Sequence, residues 1–131
     1  MEKRSTMAVM VVRAGPLHSS IKALMSTITQ IQIVAEAKEL SALLHMDPEV
    51  RPDLMVMEAD FSDDEFSDVM QQIMSQWART RLIVLVENEE QRRMAEASGA
   101  DAVLIKGFRA VRFVEVVDKL LSIEPLIGER S

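Results

Sequence analysis

Five short apolar runs, Ala8–Val12, Ile31–Ala35, Leu54–Met57, Leu82–Val86 and Ala102–Ile105, punctuate this chain. Apart from Gln32 in the second, they are continuous rather than alternating. Alternation with a period of two marks a sheet wetted on one face, whereas an unbroken run suits a strand covered on both. Between the runs the period changes. Leu17, Ile21, Leu24, Met25 and Ile28 recur at three- and four-residue intervals, and so do Phe66, Val69, Met70, Ile73, Met74 and Trp77. That is the spacing of an amphipathic helix laid against a sheet. The alternation predicts an α/β fold, a doubly wound five-stranded parallel sheet flanked by helices on both faces.

Boundary signals agree. Ser62 with Glu65, and Asn88 with Gln91, have the spacing of capping boxes at helix starts. Gly99 suits the left-handed residue that closes a helix before Ala100 and Asp101 lead into the last strand. A final helix is expected from about Val111 to Ser122, with Val114, Val117, Leu120 and Leu121 facing inward and Pro125 and Gly128 ending it. The chain thus divides into an N-terminal tail (1–7), one domain (8–124) and a C-terminal tail or start of a linker (125–131).

Composition narrows the function classes. With 131 residues, 48% of them hydrophobic and 27% charged, one domain with a sizeable core is expected. Fifteen basic against 21 acidic residues leave a net charge of −6, which argues against direct nucleic acid binding by phosphate neutralisation. The absence of cysteine excludes disulfides, thiolate metal sites and a cysteine nucleophile. The apolar run Met7–Val12 is too short for a signal-peptide core or a membrane span, so a cytoplasmic protein without membrane contact is expected.

In an open parallel sheet, ligands and chemistry collect outside the carboxyl ends of the strands. The residues expected there are Arg13 and Ala14 after the first strand, Glu58 to Asp60 after the third, Val86 to Asn88 after the fourth, and Lys106 after the fifth. Two basic groups and a carboxylate converge.

Three segments carry a resemblance: Pro52-Asp53-Leu54-Met55-Val56-Met57-Glu58, Leu82-Ile83-Val84-Leu85-Val86, and Ser98-Gly99-Ala100-Asp101-Ala102-Val103-Leu104-Ile105-Lys106. Together they resemble the bacterial response-regulator receiver domain. Val12 followed by Gly15-Pro16-Leu17 is similar to the start of receivers that precede helix-turn-helix output domains. The resemblance covers nearly the whole chain and implies strand order 2-1-3-4-5.

It also implies a site from which this sequence departs. Receivers carry an aspartate where Glu58 stands and two acidic residues where Arg13 and Ala14 stand, which together hold magnesium and accept a phosphoryl group from a histidine kinase. A hydroxyl is expected at Val86 and a switch aromatic at Val103. The proline usual after the lysine is Gly107, and only Lys106 of the reactive set is retained.

The substitutions have physical consequences. Magnesium needs oxygen ligands in near-octahedral array, and Glu58 with backbone carbonyls or Asp60 is a poor set. A divalent ion about 5 Å from Arg13 would meet roughly 6 kcal/mol of repulsion at an effective dielectric of about 20; Arg13 is expected to take the metal's place, and magnesium binding to be lost or weak. The extra methylene of Glu58 displaces its oxygen by more than about 1 Å, which can cost on the order of 100-fold in rate. Glu58 is therefore expected to pair internally with Lys106, Arg13 or both, against the simpler reading of solvated charges on a loop rim.

Other residues invite plainer readings. Asp60, Asp63, Asp64 and Glu65 suit the first turn of a helix better than a metal site. His18 and His45 lack acidic or nucleophilic partners nearby in sequence and are read as surface residues. Most of the ten methionines, including Met55, Met57, Met70 and Met74, are placed inward.

In receivers the surface of the fourth helix, fifth strand and fifth helix commonly carries dimer or partner contacts. Here it would hold Arg92, Arg93, Glu96, Asp101, Arg112, Glu115, Asp118 and Lys119, a mixture of signs suited to oriented pairing. The expected function is an atypical receiver in two-component signal transduction: not an enzyme, independent of phosphorylation, and acting as an interaction or regulatory module, for transcription if an output domain follows. Two alternatives stand beside it. One is a receiver still weakly phosphorylated on Glu58 or Asp60; the other is a flavodoxin-like small-molecule binder.

Overall fold

The computed structural model describes residues 6–28, 30–37, 49–59 and 63–129. His45, Asp60 and Ser62 lie outside the described residues. In chain order the elements are β1 (Thr6–Val11), α1 (Pro16–Ser26), β2 (Ile31–Ala37), β3 (Leu54–Glu58), α2 (Asp63–Gln76), β4 (Arg81–Val86), α3 (Glu89–Ala97), β5 (Ala102–Ile105) and α4 (Ala110–Glu129). All five strands pair in parallel, in the order β2-β1-β3-β4-β5.

The sheet separates two apolar layers, and alternate strand residues feed each. Val9, Val11, Met55, Met57, Val84 and Val86 pack on one side with Phe66, Met70 and Ile73 of α2, Trp77 just after it and Ala95 of α3. Ala8, Met10, Leu54, Val56, Ile83 and Leu85 pack on the other with Ile21 and Met25 of α1 and Phe113, Val116 and Val117 of α4. This double cover explains why the runs of β1, β3 and β4 are unbroken. The edge strand β2 differs, since Gln32, Val34 and Glu36 on one of its faces are exposed.

Two aspartates set where strands begin. The Asp53 carboxylate accepts the Met7 N–H at 2.9 Å, while the Asp53 N–H donates back to the Met7 carbonyl at 2.8 Å. Asp101 repeats the arrangement on β4: its carboxylate accepts the Leu82 N–H at 2.8 Å and its N–H donates to the Leu82 carbonyl at 3.0 Å. Each satisfies a main-chain donor at the amino end of the sheet. The Pro-Asp-Leu and Gly-Ala-Asp segments thus have a structural reason here.

Helix ends follow local chemistry. Pro16 opens α1, where its fixed φ and missing N–H suit the first turn. Asn88 caps α3 by accepting the Gln91 N–H at 2.9 Å, and Gln91 reaches back to accept the Glu87 N–H at 2.7 Å. Gly99 closes the helix with φ +109°. Trp77, at the end of the α2 stripe, is buried and donates its indole N–H to the Val50 carbonyl at 2.8 Å.

Three expectations are corrected. Met74 does not face inward: it is 40% exposed, because it lies beside the buried stripe of Phe66, Met70, Ile73 and Trp77 and rests over Gly99. In α4, Phe113 is the largest fully buried side chain and Leu120 and Leu121 pack against the core as expected, while Val114 is only half-buried. That helix also continues past Ser122, through Pro125 and Gly128, to Glu129. A proline near a helix end forfeits one backbone hydrogen bond, and the coil continues when its other bonds persist.

Gly99 is the position where a side chain is least tolerated. A Cβ there would lie 2.5 Å from Met74 Cε, and the backbone conformation is one that L-residues rarely adopt. Gly99→Ala is expected to lower unfolding free energy by about 1–3 kcal/mol in urea titrations. Adding Met74→Ala should restore only the part due to the contact.

Candidate functional site: an ion-paired carboxylate at the sheet's carboxyl end

Glu58 is the last residue of β3, at the centre of the sheet, and only 9% exposed. A carboxylate this buried must find partners or lose its charge. It finds them on two other connections. From the loop after β1, the Arg13 main-chain N–H donates to Glu58 Oε1 at 3.0 Å. From the loop after β5, Lys106 Nζ donates to Glu58 Oε2 at 2.5 Å.

Lys106 is itself shared. The same ammonium donates to Glu87 Oε2 at 2.6 Å, on the connection between β4 and α3. Its main-chain N–H donates to the Val86 carbonyl at 2.8 Å, which fixes the start of its loop against the end of β4. One ammonium thereby joins the carboxyl ends of β3, β4 and β5. Glu87 falls on the ring of loops with no role assigned from sequence; an acidic residue just after a strand, one strand before a lysine, was the available signal.

The charges shift one another. Burial, the largest single influence on Glu58, pushes its carboxyl up, but the Lys106 hydrogen bond, the Arg13 N–H and the charges of both residues together bring it below the ordinary glutamate value. For Lys106 burial is again the largest influence and acts downward; its bonds to Glu58 and Glu87 outweigh it and hold the ammonium protonated above the usual lysine value.

The internal pair with Lys106 is therefore present. Arg13 contributes differently from expectation. Its side chain is 61% exposed, with Nε 3.8 Å from Glu58 Oε1, so the close partner is the Arg13 peptide rather than the guanidinium. A buried main-chain donor reaches Glu58 at less desolvation cost than a guanidinium would.

The remaining expected positions are apolar or small. Ala14 is exposed in the turn before Gly15. Val86 is fully buried at the end of β4, and Val103 on β5 is half-buried against the same apolar layer as α2 and α3. Gly107 follows Lys106 with φ +100°, which a prolyl ring fixed near −65° cannot adopt.

A divalent ion needs several oxygen ligands; of the described side chains gathered here only Glu58 and Glu87 are carboxylates, and each is engaged by Lys106. Among the described residues no cluster of three or more acidic or histidine side chains could hold a metal.

His18 is not the detached surface residue expected. It is mostly buried, with Nδ1 2.8 Å from the Val12 carbonyl and Nε2 3.0 Å from Glu36 Oε1. Lys22 Nζ lies 3.0 Å from the other oxygen of Glu36. That carboxyl is held below its ordinary value by the Lys22 hydrogen bond first and the His18 bond second. The contacts join α1 to β2, residues 18 apart in sequence, so only the fold reveals them.

On the expected interaction face, Arg92 bonds Glu89 and Glu96 within α3, at 2.7 Å and 2.8 Å. Asp101 is engaged with Leu82 at the amino end of the sheet, and Arg112 lies 4.0 Å from Glu115 on α4. Arg93, Asp118 and Lys119 are exposed.

Removing one partner leaves the other buried and unsatisfied. Lys106→Met is expected to cost about 2–3 kcal/mol of stability, read from denaturant unfolding at neutral pH. Because Glu58 titrates lower when folded, its contribution is complete above the ordinary carboxylate range and lost as pH falls through the depressed value. The wild-type chain should therefore lose more stability on acidification than Glu58→Gln, measured as the difference between their unfolding midpoints along a pH series.

No family model matches the chain, and no curated protein matches it. Solved structures do. The response regulatory domain of protein mrkE from Klebsiella pneumoniae is similar with a TM-score of 0.77 and 17% identity, over 90% of this chain and 97% of that one. A CpaE2 pilus assembly protein from Sinorhizobium meliloti 1021 is similar with a TM-score of 0.69 and 14% identity, over 88% and 99%. The isolated REC domain of RcsB from Salmonella enterica serovar Typhimurium gives a TM-score of 0.76 and 14% identity, over 90% of each chain. Strand order, parallel pairing and helices on both faces agree with these similarities: the fold of this chain is that of response-regulator receiver domains.

Proposed function

We propose that this chain works as an atypical receiver in signal transduction, independent of phosphoryl transfer, and that it acts as an interaction or regulatory module rather than as an enzyme. One observation carries the reading: each oxygen of Glu58 already takes a donor, from the Arg13 N–H and from Lys106, and Lys106 is in turn engaged by Glu87. A phosphoryl group arriving at Glu58 would have to displace a charge-assisted bond worth about 1.5–3 kcal/mol. It would find neither a metal site nor a hydroxyl at Val86 to receive it.

In this reading the pocket is a strut that holds the β4–α3 and β5–α4 connections in one arrangement, and the face of α3, β5 and α4 presents a constant surface to a protein partner or second copy. Arg93, Arg112, Glu115, Asp118 and Lys119 are the residues available to orient such contact, with Arg92 and Glu96 contributing through their helical ladder. Output through a following domain is part of the proposal. The chain spans 61% of RcsB from Salmonella enterica serovar Typhimurium bound to promoter rprA, and a comparable arrangement would place transcription downstream.

No helix among the described residues is long and apolar enough to cross a membrane. The proposal places the domain in the cytoplasm, where such regulators meet their partners.

The test is direct. After incubation with acetyl phosphate and magnesium, intact mass and amide shifts are expected to remain those of the untreated chain. A phosphoryl adduct on Glu58 or Asp60 would overturn the reading and return the domain to a conventional switch.

A further inference from the structure

The peptide group joining Val12 to Arg13 is held from both sides. Its N–H donates to Glu58 Oε1 at 3.0 Å, and its C=O lies 2.8 Å from His18 Nδ1. A carbonyl oxygen can only accept, so Nδ1 carries a proton. The other ring nitrogen faces Glu36 Oε1 at 3.0 Å, an ionised carboxylate that can also only accept. Both contacts are satisfied together only by the imidazolium; in the neutral ring one nitrogen presents a lone pair to an acceptor.

We propose that His18 is a proton-controlled positioning residue for the Glu58 pocket: its imidazolium fastens the Val12–Arg13 peptide between Glu36 and Glu58, and loss of the ring proton loosens that grip. Hydrogen bonds in series polarise one another. A donor on the Val12 carbonyl makes the Arg13 N–H a better donor to Glu58, and losing the imidazolium weakens it. The chain of contacts runs from Glu36 on β2, through His18 and the peptide, to Glu58 on β3, Lys106 and Glu87. It spans the carboxyl edge of the sheet from β2 to the end of β4.

Among the described residues, the charged groups against the ring and its partners are Glu36 from β2, Lys22 from α1, which engages the far oxygen of Glu36, and Arg13, whose guanidinium lies 3.8 Å from Glu58. Glu36 and Glu58 are both held below the ordinary glutamate value, so both are ionised acceptors across the range of the test. The inference stands whether or not the pocket accepts a phosphoryl group, because it concerns only the peptide that holds Glu58.

The experiment is a pH titration of the whole chain from about 5.5 to 8.5, across the ordinary histidine range, following the histidine ring resonances and the backbone amides. On acidification the Arg13 amide proton is expected to move downfield with the same midpoint as the His18 ring. His45→Gln should leave that coupling intact, and His18→Gln should abolish it. Should His18→Gln fail to fold, Glu36→Gln serves instead: the ring and the Arg13 amide must again share one midpoint. The proposal is overturned by a ring that stays in one state throughout, by an Arg13 amide that does not follow the ring, or by titration of that amide persisting in His18→Gln.

Discussion

Three strands with both faces buried, β1, β3 and β4, impose the constraint on which everything else depends. Their side chains alternate between two apolar layers, so no polar group can be tolerated along their length. Polar residues are pushed to the two edges where strands begin and end. At the amino edge Asp53 and Asp101 settle main-chain donors of the neighbouring strands. At the carboxyl edge Glu58, Glu87, Lys106 and the Arg13 peptide settle one another.

The two edges solve the same problem to different effect. At the amino edge each aspartate serves one neighbouring strand and sets its register. At the carboxyl edge one ammonium serves two carboxylates from two strands, and one carboxylate takes donors from two loops. At the carboxyl edge the charges pair with one another, and charge-assisted bonds of this kind are stronger than neutral ones, so three connections are tied together through Lys106.

How much of this was legible in the sequence depends on the distance over which each interaction acts. The unbroken runs of Leu54–Met57 and Leu82–Val86 disclosed a doubly covered sheet because burial on both faces writes itself into every residue of a strand. The Asn88 cap and the left-handed Gly99 were equally readable, each being a matter of a few adjacent residues. Met74 was misplaced because a helical stripe is about 100° wide and its margin is decided by what lies opposite, here the bare Cα of Gly99. The course of α4 beyond Ser122 escaped for a related reason: proline signals a lost bond, and whether the coil stops depends on its remaining bonds.

The sequence by itself determined the architecture and which residues stand at the strand ends, Arg13, Glu58, Glu87 and Lys106 among them, since both follow from residue type and period along the chain. Only the tertiary structure decided how the remaining charges pair. The Arg13 peptide rather than its guanidinium reaches Glu58, Glu87 completes the coordination of Lys106, and His18 binds across to Glu36. These partners are separated by 18 to 45 residues, and the order of pairing is set by which strand ends the sheet brings side by side. Hydrogen bonds select within about 3 Å, a resolution that side-chain periodicity does not carry.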